Sequence, residues 1–308
     1  MALRPAPSTA LLLTAGLGTR LRPLTDELAK PALPVAGSTL VERIVLGLRS
    51  HAVTDLLLNL HYLPSTITRV VGDGTGLGVR VRYSWEMPLL GSGGGPRRAF
   101  SLVSDDRLWL VNGDTLSDVD LQAMGDEHAQ TDALVTMAVI PNPAPARYGG
   151  VVVDDDGAVT GFVPRGAPGL TWHFVGVQIA ERAAFAPLAD GVPAESVTGV
   201  YQSLMSGRRG AVRAFRTATR FLDIGTPRDY LDACLAIAAT TVVAPGSVRV
   251  APSARLSRAV LWDGVGVGEN VVLEEVVVAR GVQVPAGFAA ARAVLTRAPG
   301  APAVTPFA

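Results

Sequence analysis

The sequence has no net charge, a single cysteine and no long apolar run, and each of these features excludes a class of protein. Its 27 basic residues balance 27 acidic residues, so no global field draws the chain to nucleic acid or to an anionic membrane. Cys234 is the only cysteine, which excludes an internal disulfide and a cysteine-based structural zinc site. Any affinity for anions must therefore come from local clusters of residues.

The apolar stretches are also too short for export or membrane insertion. The run Ala10–Leu13 is shorter than the apolar core of a signal peptide, and no later run approaches the ~20 residues of a membrane-spanning helix. Hydrophobic residues nevertheless make up 48% of the 308 residues, which is enough to bury a large core. We therefore expect a cytoplasmic globular protein that binds neither membrane nor nucleic acid.

Lysine is almost absent. Of the 27 basic residues, only Lys30 is a lysine. One interpretation is codon bias with a single surviving lysine. The other is that this position needs a compact, flexible point charge, which the planar guanidinium of arginine does not supply.

The first half of the chain alternates short apolar runs with helix-length amphipathic segments. This alternation is typical of βαβ units and predicts a mainly parallel sheet with helices on both faces. The segments are Ala10–Thr14, Leu40–Arg49, Asp55–Leu60, Ser65–Val71, Val79–Tyr83, Pro96–Val103 and Leu108–Val111. Ligands of such sheets bind outside the carboxyl ends of the strands, where Gly16–Thr25 and Asn112–Asp114 fall.

The pattern between Asp132 and Arg220 is richer in strands. We interpret its apolar runs as strands that complete the sheet, together with an insertion that covers the cleft. The runs are Ala133–Ile140, Gly150–Val153, Ala158–Phe162 and His173–Ile179.

A different periodicity follows a predicted helix at Thr226–Ala239. Apolar residues recur every five or six positions, with small residues and glycines between them, which predicts a parallel β-helix. They are Val248, Ala254, Val260, Val265, Val271, Val276 and Val282. A small β-meander is the alternative. The predicted domains are therefore an α/β domain at residues 9–240 and a hexapeptide-repeat β-helix at residues 245–290.

The segment Gly16–Thr25 combines glycines with cations after the first strand. Glycines let the backbone approach a ligand, and exposed N–H groups beside Arg20 and Arg22 can hold an anion. Leu21 occupies the place of the third glycine of a dinucleotide-binding fingerprint, and no P-loop lysine pair follows. Lys30 adds a third cation to the segment.

Two further features bear on chemistry. The sequence contains three consecutive glycines, Gly93, Gly94 and Gly95. They can form a flexible surface loop, or they can let backbone N–H and C=O groups contact the edge of a nucleobase. Asp114 and Asp223 each follow an apolar strand, and their carboxylates are the hard oxygen ligands that Mg²⁺ prefers. Each aspartate alone is more often a turn or cap residue.

Taken together, these motifs resemble those of the nucleotidyltransferase family that activates sugar 1-phosphates. Leu13–Thr25 with Lys30-Pro31 is similar to the family signature, and the resemblance extends to Ala238. The other similar motifs are Gly91–Gly94 for the base, Asn112–Asp114 and Phe221–Pro227 for the metal carboxylates, and Tyr148-Gly149 for the sugar side. Mannose-1-phosphate guanylyltransferases and N-acetylmuramate-1-phosphate uridylyltransferases are the most similar groups, and the first commonly carries a C-terminal left-handed β-helix.

The resemblance implies a Rossmann-like nucleotidyltransferase domain, the fold class α/β, and a reaction of a nucleoside triphosphate with a sugar 1-phosphate. It assigns catalysis to Arg20 and Lys30 and Mg²⁺ binding to Asp114 and Asp223. The nucleotide-binding residues implied are Ala15, Gly16, Gly18, Thr19, Gly93 and Gly94, and the sugar-phosphate-binding residues are Tyr148, Gly149 and Arg165. A homo-oligomer formed through the β-helix is a further expectation.

One departure from the family pattern concerns the acceptor. Many members carry an acidic residue followed by lysine where this chain has Pro164-Arg165. Arg165 can replace the lysine, but a proline side chain accepts no hydrogen bond from a sugar hydroxyl. The base and the sugar therefore stay open, with guanylyl or uridylyl transfer favoured.

Two other functions compete with this interpretation. A cytidylyltransferase could act on a non-sugar phosphate such as phosphocholine, and a regulatory homologue could bind nucleotide-sugars without turnover. The presence of Arg20, Lys30, Asp114 and Asp223 opposes the second.

Overall fold

The computed structural model describes residues 5–307, which form two compact units. The first unit combines the described residues up to Gly16 with Ile44–Pro64 and Val71–Phe221. The second combines Leu17–Arg43, Ser65–Val70 and the described residues from Leu222 onward. The chain thus passes several times between the two units before it enters the C-terminal strands.

The elements before the C-terminal strands match the alternation of the sequence. The helices are α1 (Leu40–Ser50), α2 (Pro64–Val71), α3 (Gly91–Ser101), α4 (Leu121–Ala129), α5 (Arg182–Phe185), α6 (Gln202–Gly207) and α7 (Pro227–Ala238). The strands are β1 (Thr9–Leu13), β2 (Pro34–Val35), β3 (Ser38–Thr39), β4 (Asp55–Leu60), β5 (Arg80–Trp85), β6 (Arg107–Asn112), β7 (Thr115–Ser117), β8 (Val135–Pro141), β9 (Gly150–Val153), β10 (Val159–Val163), β11 (Trp172–Glu181), β12 (Val212–Arg216) and β13 (Phe221–Asp223).

A nine-stranded sheet forms the centre of the first unit. Its order is β10-β9-β11-β6-β1-β4-β5, with β8 paired to β11 and β12. Strands β5, β4, β1 and β6 are parallel, and Leu11 lies opposite both Leu57 and Leu110. Strands β1, β4 and β6 are almost completely buried, as a parallel sheet covered by helices requires, whereas β5 lies at the edge and alternates buried and exposed residues. The predicted parallel sheet is confirmed here, whereas β11 runs antiparallel to β6, β8 and β9.

Helix α7 in the second unit has clear start and stop signals. Thr226 accepts a hydrogen bond from the backbone of Asp229, whose carboxylate accepts one from the Thr226 backbone in return. Pro227 occupies the first turn, and Ala239 ends the helix in the left-handed region with φ 51°. Burial raises the pKa of the Cys234 thiol to about 11, so this core cysteine stays protonated near pH 7.

The C-terminal strands form parallel coils, which confirms the predicted β-helix. They are β14 (Val242–Val243), β15 (Arg249–Val250), β16 (Arg255–Leu261), β17 (Gly266–Val267), β18 (Val272–Val278), β19 (Gln283–Val284), β20 (Ala289–Thr296) and the antiparallel β21 (Ala303–Pro306). Leu256 pairs with Leu273 and Leu273 with Ala290, so each coil advances 17 residues. The handedness of the coils stays a prediction.

Charged side chains at one corner of the coils form ion pairs with α7. Arg258, Glu275 and Arg292 occupy equivalent positions of successive coils, each with positive φ. Glu275 accepts two hydrogen bonds from the guanidinium of Arg228 on α7, at 3.0 and 2.9 Å, and one from Arg258 at 3.2 Å. Burial opposes ionisation of Glu275, but the bonds and charges of the two arginines outweigh it and hold its pKa below the ordinary value.

This geometry predicts that the contribution of Glu275 to stability depends on pH. Because its folded pKa is depressed, the stabilisation is present above the unfolded pKa of about 4.3 and is lost as the pH falls through the folded pKa. Glu275→Gln should therefore unfold more easily than wild type near pH 7 and equally at acid pH. Urea unfolding at several pH values measures this. The exposed neighbour Glu274 provides the control: Glu274→Gln should match wild type throughout, and a pH-independent effect of Glu275→Gln would contradict the prediction.

Candidate active site

A buried polar network braces the backbone that follows β1. Asn59 on β4 accepts hydrogen bonds from the backbone N–H of Thr14 at 2.6 Å and of Ala15 at 3.3 Å. Its amide nitrogen donates to Glu86 at 2.8 Å, and the other carboxylate oxygen of Glu86 accepts from the backbone of Leu90 at 2.9 Å. The network thus links predicted nucleotide-binding residue Ala15 to the start of α3.

Sequence reasoning missed Asn59 and Glu86, although both carry a signal. Asn59 is a polar residue within the buried apolar strand β4, and Glu86 follows β5 directly. Each has a relative exposure of only 3%. Because buried polar groups are costly unless they are paired, polar residues at such positions indicate a purpose in the fold or the site.

We expect Glu86→Gln to destabilise the first unit. Glutamine has one acceptor oxygen where glutamate has two, so its NH₂ group would face either the Asn59 amide or the Leu90 N–H, and both of those are donors. Leaving a buried donor unsatisfied costs about 1–3 kcal/mol. Urea unfolding near pH 7 measures the loss, with exposed Glu274→Gln as the matched control. Equal stability of the two variants would mean that the network tolerates an amide and that its charge is dispensable.

The glycines expected to precede a helix belong to the helix itself. Helix α3 begins at Gly91, and Gly93 and Gly94 are buried in its first turn. The backbone N–H of Gly93 donates to the carbonyl of Ala194 at 2.8 Å, and a Cβ on Gly94 would lie 2.6 Å from the carbonyl oxygen of Val192. The surface-loop alternative is therefore wrong. These glycines let another backbone segment pack against the start of α3.

Asp114 lies at the carboxyl end of β6, beside the end of β1. The N–H of Gly113 donates to the carbonyl of Leu13 at 3.0 Å, and a Cβ on Gly113 would approach that oxygen to 2.6 Å. Gly113 thus brings the ends of the two strands together and fixes the backbone that presents Asp114. The Oδ1 atom of Asp114 is shielded from solvent.

Aromatic rings gather around the predicted sugar-binding residue Tyr148. Its ring centroid lies 4.4 Å from that of His173 and 6.0 Å from that of Phe221. A Cβ on neighbouring Gly149 would lie 3.1 Å from a backbone oxygen of β10. Arg165 is exposed in the segment after β10. The ring faces suit a sugar, and the exposed guanidinium of Arg165 suits a phosphate.

The second unit holds the glycine turn that carries most of the predicted cations. Gly18 adopts φ 63°, and its carbonyl accepts a hydrogen bond from the hydroxyl of Thr25 at 2.8 Å. A Cβ on Gly18 would lie 3.0 Å from Thr25 and 3.5 Å from the Cβ of Lys30. Thr19 begins a short helical turn and is exposed. Lys30 is thus packed against the turn and has a relative exposure of 9%.

Two predicted residues of opposite charge meet at Gly225. A Cβ there would lie 3.1 Å from a carboxylate oxygen of Asp223 and 3.4 Å from a guanidinium nitrogen of Arg20. A side chain at this position would crowd the Asp223 carboxylate and contact the Arg20 guanidinium. Arg22, in contrast, forms an ion pair with Asp26 at 3.3 Å, where both side chains are more than half exposed.

The two predicted metal ligands belong to different units, Asp114 to the first and Asp223 to the second. Between residues 5 and 307, no group of three or more histidine, cysteine or acidic side chains is arranged to hold a metal. Mg²⁺ commonly takes one or two carboxylates and completes its shell with phosphates and water. The chemistry of an aspartate carboxylate therefore fits Mg²⁺ better than a metal that needs a complete protein cage.

No helix of the described part of the chain is long and apolar enough to cross a membrane.

Comparison with known proteins gives a consistent set of relatives. The family model described as "Nucleotidyl transferase" matches residues 9–240. A mannose-1-phosphate guanylyltransferase of Mycobacterium tuberculosis is 27% identical over 296 residues, covering 86% of this chain and 82% of the relative. An N-acetylmuramate alpha-1-phosphate uridylyltransferase of Neisseria meningitidis is 32% identical over 226 residues, covering 70% and 93%. The crystal structure of HddC from Yersinia pseudotuberculosis complexed with GMP-PN superposes with a TM-score of 0.65 at 24% identity, covering 74% and 99%, and shows a common fold.

Proposed function

Because this chain belongs to the nucleotidyl transferase family, we propose that it transfers a nucleotidyl group from a nucleoside triphosphate to a sugar 1-phosphate, giving an NDP-sugar and pyrophosphate. The observation that carries the proposal is the arrangement of the second unit. There Arg20 and Asp223 flank Gly225, and Lys30 packs against the glycine turn at Gly18. Phosphate-binding cations and a metal-binding carboxylate are the groups that this reaction needs.

The reaction needs charge neutralisation and alignment more than a protein nucleophile. An oxygen of the sugar phosphate forms a bond to the α-phosphorus, and the bond from that phosphorus to the bridging oxygen of the leaving pyrophosphate breaks. Arg20 and Lys30 would hold the triphosphate and the departing pyrophosphate. Asp114 and Asp223 would hold Mg²⁺, which neutralises phosphate charge when bound. The residues themselves act by binding and orienting the two anions.

The base would lie against the backbone at Ala15, Gly16, Gly93 and Gly94. The relatives' names support guanine or uracil as that base. The Asn59–Glu86 network fixes both backbone segments, so they are arranged before the nucleotide binds. The acceptor would lie at Tyr148, Gly149 and Arg165, in the absence of the usual acidic partner. Cytoplasmic location and assembly through the β-helix stay predictions.

A pyrophosphate-release assay on the full chain tests the proposed function. It combines GTP, UTP, CTP, ATP and dTTP with mannose 1-phosphate, glucose 1-phosphate, N-acetylmuramate 1-phosphate and phosphocholine, in the presence of Mg²⁺. We expect turnover with GTP or UTP and one sugar 1-phosphate. Turnover restricted to CTP and phosphocholine would favour the cytidylyltransferase. Nucleotide-sugar binding without turnover of any pair would favour the regulatory homologue.

Arg165 should act on acceptor binding alone. We expect Arg165→Met to raise KM for the sugar phosphate about tenfold, the loss of one charge-assisted contact to phosphate, while KM for the triphosphate stays unchanged. Arg165→Lys should retain most of the affinity because it keeps the charge. The exposed Arg209, which pairs with Asp154, supplies the control Arg209→Met. An equal rise in both KM values would show that Arg165 has no specific role toward the acceptor.

A further inference from the structure

The second unit contains a cavity of about 570 Å³ that none of the predicted site residues lines. Its walls come from the segment after Lys30, from α2, from the end of α7 and from the first coils of the β-helix. This volume lies within the range of small-molecule sites in proteins, ~300–1,000 Å³. The reaction proposed above gives this cavity no role.

The interior of the cavity is largely apolar. Pro34, Val260 and Leu261 contribute to its walls, as does Trp262, whose indole N–H donates to the hydroxyl of Tyr230 at 2.8 Å. The Tyr230 hydroxyl in turn donates to the carbonyl of Pro34. The polar atoms of both rings are thus satisfied by the protein, and the rings offer apolar surface to a ligand.

Two arginines from separate segments give the cavity a cationic edge. Arg69 projects from α2 and Arg280 from the turn after β18, and both are exposed. Throughout residues 5–307, neither guanidinium has a hydrogen-bond or ion-pair partner. A guanidinium is the side chain best suited to bind a carboxylate, sulfonate or phosphate.

The acidic residues at the same cavity are engaged elsewhere. The Glu42 carboxylate accepts hydrogen bonds from the backbone and the hydroxyl of Thr39, at 2.6 and 2.7 Å. The Asp263 carboxylate accepts one from Ser247 at 3.0 Å. Among the described residues, neither carboxylate forms an ion pair with Arg69 or Arg280. We therefore propose that the cavity binds a small organic anion with an apolar or aromatic body, its charged group at Arg69 and Arg280.

The position of the cavity suggests what binding would do. Ala32 and Pro34 line it, and they continue the segment that carries Lys30. A ligand in the cavity would therefore contact, and stabilise, the segment that follows Lys30. The site goes beyond the proposed reaction, and its existence does not depend on turnover.

Two fluorescent dyes of nearly equal shape test the proposal on the intact chain. 8-Anilinonaphthalene-1-sulfonate carries an anionic group on an aromatic body, whereas N-phenyl-1-naphthylamine lacks the charge. We expect saturable binding of both. Arg69→Ala combined with Arg280→Ala should weaken the sulfonate dye at least about tenfold, equivalent to ~1.4 kcal/mol, and leave the neutral dye within about twofold. Arg255→Ala, an exposed arginine of β16, is the matched control and should change neither.

Ala238→Trp tests the apolar part, because a large side chain at the end of α7 should fill the cavity and exclude both dyes. Circular dichroism reports whether this variant folds, and the arginine variants decide the question if it does not. The proposal is overturned if neither dye binds saturably, if the arginine variants leave the sulfonate dye unchanged, or if Asp114→Asn removes binding, which would place the dye in the candidate active site.

Discussion

Asp114→Asn should lower kcat of the proposed transfer at least about 100-fold while the fold stays intact. Asparagine has the shape of aspartate but lacks the charge, so under the proposed function the variant would remove a ligand charge from Mg²⁺ without emptying space. A 100-fold loss corresponds to roughly 2.7 kcal/mol of transition-state stabilisation. Asp223→Asn should show a loss of the same order, and it should also change the surroundings of Arg20, since both side chains approach Gly225.

The measurement is steady-state pyrophosphate release at several Mg²⁺ concentrations. Both variants should need more Mg²⁺ for half-maximal rate than the wild type. Asp155→Asn, in an exposed turn, is the control and should keep normal activity and normal Mg²⁺ dependence. Activity within a few-fold of wild type for either aspartate variant would remove that residue from the metal site.

The parallel part of the sheet could be predicted because its signal is local. Strands β1, β4 and β6 are apolar runs of five or six residues, and the segments between them are long enough for crossover connections. The β-helix had a similarly local signal. The five- and six-residue intervals between apolar positions repeat as a coil of 17 residues, and Val265, Val271 and Val282 are buried as the pattern requires.

The start of α3 could not be predicted, because its signal comes from tertiary contacts. Three consecutive glycines are poor helix formers, so local propensity favours a loop at Gly93–Gly95. Other backbone packs against this turn: a Cβ on Gly94 would lie 2.6 Å from the Val192 oxygen, and a Cβ on Gly93 would lie 3.1 Å from the Ala194 oxygen. The hydrogen-bond network of Asn59 and Glu86 could not be predicted for the same reason. Asn59 and Glu86 are 27 positions apart, and only the parallel pairing of β4 with β5 brings them together.

The acceptor side, where Pro164-Arg165 replaces the family's acidic residue and lysine, was only partly predictable from the sequence. Sequence reasoning identified the missing acidic residue, but the aromatic cluster of Tyr148, His173 and Phe221 depends on three segments that meet only in the fold. The ring of His173 lies 4.9 Å from that of Phe221. Ring faces can contact the apolar face of a sugar without any carboxylate. Tyr148 and Phe221 belong to separate motifs of the sequence, and only the fold brings their rings together with that of His173.

Lys30→Arg should reduce kcat/KM about 10- to 100-fold, even though the charge is kept. The lysine stem is buried beside the turn at Gly18, where a hypothetical Cβ would already lie 3.5 Å from the Cβ of Lys30 and 3.0 Å from Thr25. A guanidinium is wider than an ammonium, so we expect arginine to fit less well than lysine beside this turn. The expected loss corresponds to roughly 1.4 to 2.7 kcal/mol of transition-state stabilisation. Lys30→Ala should be worse, since it also deletes the charge that opposes repulsion between the two phosphates.

Steady-state kinetics of Lys30→Arg decide between the two explanations of the only lysine in the chain. The other 26 basic residues of the chain are arginines. If codon bias alone explains Lys30, arginine should be accepted at this position too, and kcat/KM would stay near normal. If the position needs a compact charge, Lys30→Arg fails while Arg22→Lys, at an exposed ion pair with Asp26, changes little. Unfolding of both variants in urea separates a local misfit of the turn from loss of the fold, because only the former leaves the transition midpoint in place.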